Sequence, residues 1–278
     1  MNTTLLQGAK IVSLAGNLPG PLAAARLLKL GASVIKIEPP AGDPFAEMCP
    51  EWYQELAEGQ RILNLNLKAP REKAEFEDLL RDSEVLITSQ RPAALERLGI
   101  DWKRLHHLFP KLSQVAIIGY PPPNENLAGH DLTYQAAANL LSPPDMPRTL
   151  LADLATAERV FSAVLTSLLA SEKGFQASYE LVSIVQTIQD FAAPLRYNLT
   201  TNEGLLGGKT PEYGLYRTAQ NGWIALSALE PLFQQRLNAE LGLENAQRED
   251  YEKAFSNRTS QEWKAWAVES DIPLEVVY

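Results

Sequence analysis

Along this chain the apolar residues come in short blocks, and the spacing inside each block predicts an element. Lys10 to Leu14 (KIVSL) and Ser33 to Ile37 (SVIKI) have the length and composition of buried strands. Between them Gly16 to Gly20 reads as a turn and Pro21 to Lys29 as a helix, with Gly31 just past its end, so the three segments form a βαβ unit. Ile62 to Leu67 (ILNLNL) alternates apolar residues with Asn and predicts a further strand of period two. Pro70 to Arg81 has helical patterning, with Phe76, Leu79 and Leu80 inside and Glu72, Lys73, Glu75, Glu77 and Asp78 outside. Glu84 to Thr88 and Leu112 to Ile118 add two strands, and Leu95 to Leu98 and Trp102 to Leu108 add short helical pieces. Strands alternating with helices imply a mostly parallel sheet covered by helices, whose ligands bind beyond the carboxyl ends of the strands. Those ends are the loops Gly16 to Pro21, Glu38 to Asp43, Ser89 to Pro92 and Gly119 to Asp131.

Two longer apolar runs follow, Leu132 to Leu141 and Leu154 to Leu169, each of helical length and separated by a Pro-rich loop. His130 and Asp153 then lie near helix N-termini, where unpaired backbone N–H groups and the helix dipole stabilise anions. On spacing alone the simpler reading is preferred: Asp153 is an N-cap and His130 a loop histidine. After a helical stretch ending near Ala193 the pattern changes. Tyr197 to Thr210 is polar, Gly207-Gly208 reads as a flexible joint, and Tyr213 to Thr218 pairs with Trp223 to Ser227 as a hairpin around Asn221-Gly222. Pro231 to Leu241 and Ser260 to Val268 predict two more helices. The expected architecture is therefore α/β: a Rossmann-like, mostly parallel sheet domain over residues 1–196, and a second, smaller α+β domain over 197–278.

Composition narrows the chemistry. With 45% hydrophobic and 21% charged residues the 278-residue chain has the make-up of a globular protein able to bury a sizeable core. A net charge of -9 and a pI near 5.0 argue against a nucleic-acid surface. The single cysteine, Cys49, excludes an internal disulfide, and no Cys/His cluster has metal-ligand spacing, so a reducing cytoplasm and no metal site are expected. The N-terminus lacks a signal-peptide pattern, and no apolar run is long enough to predict a membrane span. Gly16, Gly20 and Gly31 do not have the GxGxxG spacing, which disfavours a nicotinamide cofactor.

At this point ordered blocks of the sequence resemble CoA-transferase family III and its α-methylacyl-CoA racemase branch. LLQGAKIVSLAGNLPGPLAAARLLKLGASVIKIEPPAGD is similar to the family's opening block, NLNLKAP and SEVLITSQRPAALERLGID to its second, and AGHDLTYQA with LLADLA to its third. PEYGLYRTAQNGWIALSALEPLF resembles the racemase branch's second-domain hairpin. The resemblance implies an acyl-CoA substrate, coenzyme A entering as part of the thioester with no separate cofactor, and an interlocked homodimer with its active site between large and small domains. In the transferase branch an Asp at the Asp153 position is an acylated nucleophile. In the racemase branch it is one of two opposed bases, with His130 as the other, supported by Glu230. Tyr134 matches a family active-site Tyr, and Asp131 either caps a helix or orients His130. Arg91 matches a position that contacts the CoA phosphates, with Ser89 and Gln90 beside it. Lys68 matches a Lys near the nucleotide, and Leu65, Asn66 and Leu67 would line the adenine. Read without the family, Glu230 is a helix N-terminal residue, Tyr134 a buried structural Tyr, and Arg91 and Lys68 surface cations.

Abstraction of the proton next to a thioester carbonyl creates an enolate, which needs a base on one face, an acid on the other and donors at the oxygen. Asp153 is expected to offer both a carboxylate and, through its own backbone N–H, an oxygen-binding donor. The chain departs from the family pattern at Pro39, where an Arg is common, at Thr149, where the racemases favour Asn, and at Leu154 to Thr156, where small residues are usual. It also stops at Tyr278, short of the segment with which family members return to the large domain, so an altered or lost interlock is expected. Three readings follow: an epimerase acting on a 2-methylacyl-CoA, a CoA transferase working through an Asp153 acyl anhydride, and a CoA-binding protein without either chemistry.

Overall fold

Six short apolar runs become the six strands of one parallel sheet in the computed structural model, which describes residues 4–278. The strands are β1 (Lys10–Ser13), β2 (Ser33–Glu38), β3 (Arg61–Asn64), β4 (Val85–Thr88), β5 (Ser113–Ile118) and β6 (Tyr179–Ser183). They are ordered β3-β2-β1-β4-β5-β6, with every neighbouring pair parallel. This is a doubly wound order: the chain steps outward from β1 in one direction and from β4 in the other, leaving a crevice at the carboxyl ends where the order reverses. Val85–Thr88 and Ser113–Ile118 are buried at every position, as expected for strands covered on both faces.

The helices of this unit are α1 (Pro19–Lys29), α2 (Phe45–Met48), α3 (Pro50–Ala57), α4 (Pro70–Arg81), α5 (Pro92–Leu98), α6 (Trp102–Leu108), α7 (Asp131–Ala137), α8 (Leu151–Glu172) and α9 (Ile184–Phe191). On one sheet face α1, α8 and α9 pack over Ile11, Val34, Ile87 and Val115; on the other, Phe76, Leu80, Leu95 and Leu105 pack over Val12, Ile37 and Leu86. Alternate residues of each strand thus feed opposite cores. At 22 residues α8 is long and apolar enough by composition to cross a bilayer, contrary to the reading that no run reaches that length. Ala152, Ala155, Ala157, Val160 and Val164 of α8 are buried in the protein core instead.

A second unit spans Ala193–Tyr278, so the division falls at 192/193 rather than at 196/197. The difference is one short helix, α10 (Ala193–Arg196), which starts the second unit. Its sheet, ordered β7-β8-β9, is antiparallel and consists of β7 (Tyr213–Arg217), β8 (Trp223–Ser227) and β9 (Leu274–Val277). The predicted turn at Asn221-Gly222 starts one residue earlier, with Gln220 and Asn221 both at positive φ. Around the sheet lie α11 (Pro231–Leu241), α12 (Arg248–Phe255) and α13 (Ser260–Glu269), closing over Tyr216, Tyr251, Phe255 and Trp263. The Gly207-Gly208 joint lies within a wide helical turn, Leu205–Lys209, with Gly208 at φ 126°.

Candidate active site

The crevice holds a chamber built from the loops after three neighbouring strands. Gly16 and Asn17 follow β1, Ser89 and Arg91 follow β4, and Gly119, Glu125, Gly129 and His130 follow β5; Tyr134 of α7 and Asp153 of α8 join them, with apolar wall from Pro19, Ile117 and Ile184. Hydrogen bonds fix these loops to one another. Gln90 Nε2 donates to the carbonyl of Leu14 at 2.7 Å, and the Gly16 N–H donates to Ser89 Oγ at 3.2 Å, tying the ends of β1 and β4.

A buried charge cluster holds the Gly16-Asn17 turn from behind. Lys36 and Glu38 share one face of β2, as residues two apart on a strand must, and Lys36 Nζ lies 2.8 Å from Glu38 Oε1 and 2.7 Å from Asp43 Oδ2. The three side chains are 2–6% exposed. The second oxygen of Asp43 accepts from the backbone N–H groups of Asn17 and Phe45, both at 3.0 Å. Tyr53 donates to Glu38 at 2.7 Å; burial first, and then this bond and the negative charge of Glu38, push its hydroxyl pKa up. Each buried charge therefore has a counter-charge and hydrogen bonds, the condition under which ions are tolerated inside a protein. The expectation for this stretch was a loop alone; the cluster was signalled by a Lys and a Glu two apart in an otherwise apolar strand.

Asp153 is the third residue of α8, two positions past its first residue Leu151 rather than the N-cap that spacing alone suggested, and its amide has no carbonyl acceptor within its own helix. Asp131 supplies one: the Asp153 N–H donates to Asp131 Oδ1 at 3.1 Å. This corrects two expectations. Asp131 caps the start of the neighbouring helix rather than its own, and the Asp153 amide reaches a substrate oxygen only if it leaves Asp131. The other Asp131 oxygen accepts from Gln135 Nε2 at 2.6 Å, and the same nitrogen lies 3.1 Å from the Thr149 carbonyl. Burial, and then the negative charge of Asp131, raise the Asp153 carboxyl from its ordinary 3.8 to about 7.

His130 is the residue before α7, in extended backbone (φ -139°, ψ 169°), with its N–H donating to Thr133 Oγ1 at 3.0 Å and its imidazole making no cap bond. The hydroxyl of Thr133 thus ties down the His130 backbone, whose carbonyl accepts from the Thr133 and Tyr134 N–H groups, and the ring lines the chamber. Tyr134 is 4% exposed; burial first, then Tyr120 and Asp153, push its hydroxyl up to about 12 against the opposing pull of Arg91, so it stays a donor at neutral pH. Gly129 is required by this ring, because a Cβ there would lie 2.5 Å from Tyr134 Cε1.

A second cleft lies at the same sheet edge, beyond the ends of β2 and β3. Leu14, Ile37, Leu65, Leu67, Leu98 and Ile100 make its apolar walls, and Glu38, Asn66, Lys68 and Gln90 its polar rim. Leu65, Asn66, Leu67, Lys68 and Gln90 therefore meet in one place. Ser89 and Arg91, the latter matched to a position that contacts the CoA phosphates, line the chamber with Asp153 and Tyr134 instead of this cleft. The reason is the sharp exit from β4, where successive residues Ser89, Gln90 and Arg91 turn to different sides. The strand expected through Leu67 ends at Asn64 because the Asn66 N–H leaves the sheet for Glu72 Oε2, at 2.6 Å. Glu230 lies in the second unit as the residue before α11; it is exposed and its carboxylate makes no cap bond. No group of three or more His, Cys, Asp or Glu among the described residues could hold a metal ion. Sequence reasoning missed Gln135 and Glu125; Gln135 was marked by its i, i+4 spacing from Asp131, whereas nothing local marked Glu125.

Human α-methylacyl-CoA racemase is 27% identical over 93% of this chain and 74% of its own length. Cinnamoyl-CoA:phenyllactate CoA-transferase of Clostridium sporogenes is 32% identical over 48% of this chain and 35% of its own. The fold superposes with a TM-score of 0.85 on the crystal structure of a hypothetical protein from Mycobacterium tuberculosis, 24% identical, covering 98% of this chain and 85% of that one. The family model for CoA-transferase family III matches residues 6–277, and the chain belongs to that family.

Proposed function

We propose that the protein is an acyl-CoA enzyme that epimerises the α-carbon of a 2-methylacyl thioester by two-base proton transfer. The observation that carries this reading is the placement of His130 and Asp153 in one chamber, with the Asp153 carboxyl raised to about 7. A general base works best when its pKa lies near the working pH, and a group balanced between its two forms can serve as acid in one direction and base in the other. One of the pair removes the α-proton and the other delivers a proton to the opposite face; exchange of roles inverts the centre. Tyr134 offers a protonated hydroxyl to the enolate oxygen. Coenzyme A is part of the substrate, its nucleotide end assigned to the cleft at Leu65 to Lys68 and Gln90, where Lys68 is the cation on the rim.

A second reading is favoured by the similarity to the clostridial transferase. There the Asp153 carboxylate attacks the thioester carbonyl, the carbon–sulfur bond breaks and CoA leaves as thiolate; the thiolate attacks the aspartyl carbonyl of the anhydride and releases the donor acid, the acceptor carboxylate displaces the thiolate again to form a second anhydride, and the thiolate takes the acceptor acyl group and restores Asp153. The two are separated by incubating the protein with a 2-methylacyl-CoA in heavy water and, in parallel, with hydroxylamine. Deuterium at the α-carbon without hydroxamate at Asp153 supports epimerisation. Hydroxamate formation without α-exchange supports transfer and overturns the first reading.

A further inference from the structure

We propose that Gln135 is a positioning residue for Asp153, acting through Asp131, and this inference rests on Asp153 being the acid–base group of the chamber. Gln135 is 3% exposed and does not line the chamber, so it touches no substrate. Its single amide nitrogen bridges two acceptors on different segments: Asp131 Oδ2 at 2.6 Å on α7 and the Thr149 carbonyl at 3.1 Å, two residues before α8. Asp131, 5% exposed, spends its other oxygen on the Asp153 amide. The result is a closed set of contacts running from α7 to the Thr149 carbonyl and, through Asp131, to the third residue of α8.

The physical need for such a bridge is plain. The first four N–H groups of a helix lack intrahelical acceptors, so the backbone at Asp153 is held from outside α8 or not at all. A carboxylate makes a strong external acceptor, but a carboxylate inside the protein needs its remaining lone pairs filled. Gln135 fills them, and being four residues on from Asp131 in the same helix it is held in place by α7 itself. Its second contact sets where the segment leading into α8 lies relative to α7. Because α7 begins directly after His130, the same bridge fixes the spacing between the two candidate bases.

The clamp is testable without turnover. In the full chain the Asp153 amide should be protected from hydrogen exchange although it lies in the first helical turn. Gln135→Met keeps side-chain length and helix propensity while removing the donor, and Gln135→Leu is a second variant should the first not fold. The expected result is exchange at the Asp153 amide at least about tenfold faster, with the Leu154 amide, bonded to the Leu150 carbonyl at 2.9 Å, unchanged. With a substrate that the wild type epimerises, kcat should fall about tenfold at unchanged KM, the pattern of a displaced reacting group rather than of lost binding. Unchanged protection at Asp153 in both variants overturns the clamp. Lost protection with undiminished kcat overturns the positioning role. If the wild type turns over no thioester, the proposed function falls while the exchange result still decides whether the clamp exists.

Discussion

Replacing Asp153 by Asn should stabilise the protein, increasingly as pH rises above about 4 and in full above neutral pH. The carboxyl is raised from 3.8 to about 7, so the folded chain disfavours its ionised form. Stability is therefore lost as pH rises from the unfolded value through about 7, and the loss is complete at pH 8. At about 1.4 kcal/mol per pKa unit the span corresponds to roughly 4 kcal/mol at most. Solvent on the open side of the chamber screens part of it, leaving about 2 kcal/mol. Asn has the shape of the protonated acid and cannot ionise, so the variant should recover this amount at pH 8 and none of it near pH 4. For a unit of this size that is a rise in Tm of about 4–8 °C at pH 8. Thermal unfolding followed by circular dichroism at pH 4, 6 and 8, wild type beside variant, reads the difference directly. An equal Tm at pH 8, or a gain of the same size at all three pH values, would refute the assignment of a strained carboxylate to this position.

Lys36→Met leaves Glu38 and Asp43 as buried carboxylates without a cation, and should cost about 3 kcal/mol or more, seen as a lower urea midpoint at unchanged slope. Gly129→Ala drives a methyl group into the Tyr134 ring; a destabilisation of about 1–3 kcal/mol is expected, with loss of activity exceeding that of Tyr134→Phe, measured as kcat. Lys68→Ala should raise KM for a CoA thioester about fivefold to tenfold with kcat retained, if the cleft it rims is the one proposed for the nucleotide end of CoA, away from the chamber.

How much of this was legible in the sequence depends on the range of the interaction. Elements defined by their own periodicity were readable: Pro70–Arg81, Trp102–Leu108 and Pro231–Leu241 begin and end at the expected residues, because Pro70 and Pro231 at a first turn, Asp101 as an N-cap and Gly242 past a last turn are local signals. The parallel sheet and the use of its carboxyl edge also followed from strand and helix alternation. Tyr179–Ser183 was not recognised as a strand, since it pairs only with Ser113–Ile118, more than sixty residues earlier. The residues of the chamber were grouped by family resemblance, not by spacing, and their detailed roles were set by tertiary contacts. Asp131 and Asp153 meet across 22 residues of chain, so the occupation of the Asp153 amide had no local sign. Which cleft Ser89, Gln90 and Arg91 each line had no local sign either, because a loop leaving a strand can send neighbouring side chains to either side of the crevice.

Two opposed bases make a stronger demand than exchange alone, because each should serve one configuration at the α-carbon. Incubating the separate R and S forms of a 2-methylacyl-CoA with His130→Ala and with Asp153→Asn in heavy water measures this directly. Each variant should lose abstraction from a different enantiomer, one variant sparing R and the other sparing S. If both variants lose the same enantiomer, or both retain exchange on each, His130 and Asp153 do not flank the reacting carbon and the two-base reading is wrong.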